Sequence, residues 1–212
     1  MARIVKVLTI RGIGGYAKLR MFLNLNYVII IFMERIPGKI DHDGEDRQTR
    51  KLVFLALCTA AGLICSYVEA LFPLQLGVPG AKPGLPNIVT VVLLYTVGAK
   101  EALFVTLARI LLSGFMFGNL FAIVYSLAGF LCSFLTMLIL KKSDRFGMVG
   151  VSTASGVIHN LGQLAAAACL TDGYVFAYLP ALAAAGTAAG VIVGILSGII
   201  GKRLAGMLRK MI

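Results

Sequence analysis

Five polar side chains stand in a stretch of alanines and glycines: Ser152, Ser155, His159 and Gln163 recur at spacings of three, four and four, and Asn160 lies beside them. Residues three or four apart share a helix face, so hydroxyl, imidazole and carboxamide groups form one stripe. In an apolar segment such a stripe either lines a ligand cavity or bonds to a neighbouring helix. Interhelical hydrogen bonds average only about 0.6 kcal/mol, so both readings stand. Arg109 lies in the run ALFVTLARILLSGF and needs a carboxylate, backbone carbonyls or water as partner, because a guanidinium is costly to hold in apolar surroundings. Glu69 is the one carboxylate between residues 52 and 72 and offers itself as that partner. Lys82 stands between helix-breaking residues in Pro79-Gly80-Ala81-Lys82-Pro83-Gly84-Leu85-Pro86-Asn87, where it either captures an anion or rests as a solvated charge on a rigid turn. The candidate substrate-binding residues are therefore Lys82, Asn87, Arg109, Asn119, His159, Asn160 and Gln163.

Several chemistries lack their residues. There is no G-x-x-x-x-G-K-[ST] phosphate loop, no H-E-x-x-H and no D-D-x-x-D aspartate pair of the kind that holds magnesium on a prenyl diphosphate. Neither catalytic residues, a cofactor nor a metal is expected. The acidic run Asp41-His42-Asp43-Gly44-Glu45-Asp46 lacks the ligand spacing of a calcium loop and reads as solvated charge. Cys58, Cys65, Cys132 and Cys169 have no C-x-x-C spacing and lie in apolar stretches, so they read as small buried apolar residues.

The elements that must position these residues follow from composition. Of 212 residues 59% are hydrophobic and 14% charged, against roughly 25% charged in a soluble domain. Residues 1–51 hold 10 Lys/Arg and 5 Asp/Glu, which leaves 10 and 4 for the remaining 161 residues. With about 20 residues per crossing, that body suffices for about six transmembrane helices and has no room for a second, water-soluble domain. The expected fold is all-α: a polytopic bundle of six transmembrane helices over residues 51–205. Helix one is expected over Leu52 to Phe72, followed by a connection holding four of the six prolines. The apolar run 88–117 is interrupted by Gly98-Ala99-Lys100-Glu101. Burying that ionic pair at mid-membrane would cost roughly 2.5 to 3.5 kcal/mol per group, so a hairpin of two shorter helices, 87–98 and 101–117, is expected instead. Gly118-Asn119 turns into helix four, 119–140, ending at Lys141 and Lys142. Helix five spans Met148 to Leu170, and helix six Tyr174 to Ile200 after the turn Thr171-Asp172-Gly173.

On this count 18 of 20 Lys/Arg fall on one side, with Lys82 opposite and Arg109 inside a helix. The positive-inside rule then predicts a multi-pass plasma-membrane protein with both termini cytoplasmic. The net charge of +11 reads as this orientation signal rather than as a nucleic-acid surface. Residues 1–50 form a basic cytoplasmic tail, and 206–212 a basic cytoplasmic end. Met21 to Met33 is too short to span, and no A-x-A-like cleavage site follows Phe32. Met33 as the true start and residues 1–32 as a genuine arm are both open.

Gly186, Gly190, Gly194 and Gly198 recur every four residues and leave a flat groove for close helix packing, while Ala56-x-x-x-Ala60 is a second small pair suited to packing within the fold or against another membrane subunit.

With six spans, this A-x-x-x-A pair, the long Pro/Gly loop and the short hairpin, residues 51–205 resemble a substrate-binding S component of an energy-coupling factor (ECF) transporter. The runs P-G-A-K-P-G-L-P-N-I-V-T at 79–90 and A-R-I-L-L-S-G-F-M-F-G at 108–118 are similar to the family called heptaprenyl diphosphate synthase component I, or Gx transporter proteins. The S-component resemblance implies a small-molecule substrate, a surrounding lipid bilayer, and a transmembrane coupling subunit and ATPases on separate chains. It would turn Ala56 and Ala60 toward the coupling subunit, and close the 73–87 loop and helices four to six around substrate. The enzyme name implies instead a non-catalytic membrane helper of heptaprenyl diphosphate synthase. The first 50 residues match neither pattern.

Overall fold

Six helices carry the structure, a computed structural model that describes residues 45–71, 84–170 and 174–211. They are α1 (Glu45–Leu71), α2 (Asn87–Thr96), α3 (Ala99–Phe117), α4 (Leu120–Lys142), α5 (Met148–Leu170) and α6 (Leu179–Met211), with a 3-10 turn at Tyr174–Tyr178 before α6. No strand occurs among the described residues. The basic tail through residue 44, Lys82 and the Thr171-Asp172-Gly173 turn lie outside them.

Three segments, Gln48–Leu71 in α1, Leu120–Lys142 of α4 and Phe176–Gly206 from the 3-10 turn into α6, are long and apolar enough to cross a membrane. Their outward faces carry large apolar side chains, among them Leu52 and Tyr67 on α1, Leu131, Leu135 and Ile139 on α4, and Ile192, Ile195 and Ile199 on α6. Water would penalise such a surface and lipid would not. The cysteines divide accordingly. Cys65 is buried and Cys58 half-buried, but Cys132 and Cys169 are exposed, which corrects the expectation that all four are interior. An apolar thiol gains as much from a lipid-facing side as from a core.

Helix α2 lies inside the bundle. Its ten residues rise only about 15 Å, half a hydrocarbon core, and Ile88, Thr90, Val91, Val92, Leu93 and Leu94 are all buried. A helix apolar on every side must be covered on every side, and α1, α3 and α6 pack around it. The Thr90 and Thr106 hydroxyls meet at 2.8 Å, and because Thr106 donates to the Ala102 carbonyl, Thr90 is the donor to Thr106. The hairpin to α3 closes where the charged pair interrupts the apolar run. Gly98 has φ 158°, and a Cβ there would lie 2.7 Å from Glu101 Oε2. Glu101 sits in the first turn of α3 and pairs with Lys51 of α1. At the same end, Lys141 Nζ donates to the Leu94 carbonyl and stands 5.0 Å from the Tyr95 ring centre, which places a cation on the carbonyl end of the α2 dipole.

Helix α4 begins at Asn119, whose side chain accepts the Ala122 N–H at 2.8 Å, and its last turn carries Lys141 and Lys142. Helix α5 packs against both α4 and α6. The four-residue glycine spacing explains the α6 side: a Cβ on Gly186 would meet Gly156 O at 2.7 Å, one on Gly190 Thr153 Cα at 2.6 Å, and one on Gly194 Val149 Cα at 2.7 Å. Gly198 has nothing within 4 Å, so the close seam ends one turn before the glycine series does.

Candidate functional site

Near one end of the bundle α1, α3, α4 and α5 leave a cavity closed from the side by the start of α2. Helix α1 contributes Ser66 and Glu69, α3 contributes Arg109, Ser113 and Phe117, α4 contributes Ser126, and α5 contributes His159, Asn160 and Gln163. Gly84, Pro86 and Asn87 form the remaining wall. The centres of water-sized molecules have about 140 Å³ here, roughly ten times what one water needs.

Each wall has a local cause. Gly84 takes φ 72°, a conformation glycine adopts without steric cost, and its carbonyl accepts the Asn87 N–H at 2.9 Å. This turn brings Asn87 to the cavity at the first residue of α2. The turn is tied to α1 because Leu85 N–H donates to Glu69 Oε1 at 2.7 Å. Helix α4 approaches α5 at Gly129, where a Cβ would lie 2.7 Å from Gln163 Cγ and 2.9 Å from His159 O. The small residue thus lets the α5 stripe reach the cavity.

Arg109 enters across Gly62, where a Cβ would lie 2.9 Å from Arg109 Cδ. Among the described residues its guanidinium makes one hydrogen bond, Nη1 to Ser66 Oγ at 3.1 Å, while Nε is buried without a partner. Glu69 supplies the negative charge that stabilises the guanidinium, but the hydrogen bond goes to Ser66. The partnership expected from the sequence is therefore electrostatic, and the carboxylate also holds the turn through Leu85 N–H.

The α5 stripe divides its work. His159 and Gln163 line the cavity, and His159 Nδ1 lies 3.4 Å from Ser133 Oγ of α4. Asn160 also borders the cavity, yet its Nδ2 donates to the Leu182 carbonyl of α6 at 2.9 Å. Ser155 donates to the Ser152 carbonyl, and both serines are buried. Asn87, Arg109, His159, Asn160 and Gln163 thus share one cavity, and Asn119 caps α4 instead. Ser66, Ser113 and Ser126 were not legible as a group, since one serine on each of three helices leaves no local pattern. No group of three or more His, Cys, Asp and Glu that could hold a metal occurs among the described residues. Ala56 and Ala60 are both exposed on α1 and stand apart from the cavity.

The described residues of the site can hold a small polar molecule by hydrogen bonds and by the positive charge of Arg109. Residues 58–200 match the family described as heptaprenyl diphosphate synthase component I. No curated protein and no solved structure matches the chain.

Proposed function

The chain belongs to the heptaprenyl diphosphate synthase component I family, and from that premise we propose that it is the membrane-embedded substrate-binding (S) subunit of an ECF-type uptake transporter. The observation that carries this reading is the cavity, where polar side chains from α1, α2, α3, α4 and α5 converge inside an otherwise apolar bundle. Buried polar groups without partners destabilise a fold, and a bound polar molecule supplies those partners. In this reading the six helices form a multi-pass bundle in the plasma membrane, α2 reaching only part of the way across, with both termini cytoplasmic and the cavity toward the outside. The substrate is small, and ATP hydrolysis is done by separate subunits through a transmembrane coupling protein that docks on the exposed Ala56 and Ala60.

The family description also supports a second reading, a non-catalytic membrane partner of a prenyl synthase. The two separate by what copurifies. Tagged protein extracted mildly from its native membrane should bring down ATPase subunits and an integral membrane protein, and deleting it should leave long-chain prenyl diphosphate synthesis intact. Copurification of a prenyltransferase together with a fall in that synthesis would overturn the transporter reading.

A further inference from the structure

Arg109 is the feature that the proposed cavity leaves unexplained. A guanidinium has five N–H donors, and among the described residues this one directs a single hydrogen bond, to Ser66, with Nε buried and unpartnered. A permanently charged group in a bundle otherwise built of apolar residues is destabilising unless something completes its donor set. The planar fork of Arg matches a carboxylate, two N–H groups to two oxygens.

Asn87, Ser126 and Gln163 line the cavity and make no side-chain hydrogen bond among the described residues. Carboxamides and a hydroxyl both donate and accept, so they suit the uncharged polar groups of a ligand. Arg109 is the only Lys or Arg among the described cavity residues, and Glu69 lies in the same wall.

We propose that the cavity binds a small carboxylate, its carboxylate group held by Arg109 and its uncharged polar groups by Asn87, Ser126 and Gln163. This assignment rests on the binding-subunit reading and names its substrate class.

The test is thermal stabilisation of the full chain in detergent by matched probes at millimolar concentration: benzoate against benzamide, proline against prolinamide, and inorganic phosphate. At least one acid should stabilise the wild type while its amide does not. R109Q should weaken that acid roughly tenfold to a hundredfold, the range for a hydrogen-bonded charge. R109K, which keeps the charge without the fork, should retain part of the binding and shows that the fold tolerates substitution. Equal stabilisation by acid and amide, a preference for phosphate, or unchanged binding in R109Q would each overturn the carboxylate assignment. If no acid stabilises the wild type but the small-molecule fraction of a cell extract does, the assignment fails and the binding-subunit reading survives. If neither does, both fail.

Discussion

Replacing Gly190 with alanine should destabilise the protein far more than replacing Gly198, although the two lie on the same four-residue series. A Cβ at Gly190 would stand 2.6 Å from Thr153 Cα and 2.7 Å from Ser152 O, both backbone atoms that no rotamer can move. Ordinary contact begins near 3.4 Å, so α5 and α6 must separate by about 0.8 Å at this point, and packed interiors resist such shifts. The seam is equally close at Gly186 and Gly194, which spreads the displacement over several turns. Overpacking of this kind costs about 1 to 3 kcal/mol, which for a chain of this size lowers Tm by roughly 2 to 12 °C. Gly198→Ala adds a methyl group with nothing within 4 Å and should fall within about 0.5 kcal/mol of the wild type. Loss of helical circular dichroism on heating in detergent measures both. Should the two variants melt together, the α5–α6 seam is not closed by backbone contact at these glycines.

Three further outcomes follow from separate parts of the fold. Asn160→Ala removes the bond to the Leu182 carbonyl and should lower stability by about 0.5 to 1.5 kcal/mol, read from the same melts. Leucine at Ala56 and Ala60, both exposed, should abolish copurification of the coupling protein while leaving Tm unchanged; retained copurification would mean that the small pair does not carry the docking. Single cysteines at Gly80 and Asp172, in a background lacking Cys58, Cys65, Cys132 and Cys169, should label from outside intact cells and one at Ser143 should not, and the reverse pattern would invert the topology.

The helices were legible because charges and helix breakers punctuate an apolar chain. Lys100-Glu101 forced a hairpin, Lys141-Lys142 closed α4, and Gly118-Asn119 separated α3 from α4; the structure divides the chain at these places. The buried position of α2 was harder to read, since a short run apolar on every side carries no moment that points to a core. The site was partly legible. His159 and Gln163 stand out against alanine and meet Arg109 and Asn87 in one cavity. Glu69, however, holds Leu85 N–H rather than bonding the guanidinium, because the turn at Gly84 brings a backbone donor to it, and a donor without a distinctive side chain leaves no trace in sequence. Asn119 caps α4 by accepting Ala122 N–H, a role that a polar residue at a helix start commonly takes.

Whether the cavity is a binding site is decided by what the intact protein retains. Wild type, Asn87→Ala and Gln163→Ala should be purified in parallel, denatured, and their released small molecules compared by mass spectrometry. The transporter reading predicts a compound retained in proportion to wild-type protein and reduced several-fold in both variants, since each lost contact contributes about 0.5 to 1.5 kcal/mol. Equal retention by all three, or no retained compound in the wild type, would contradict it.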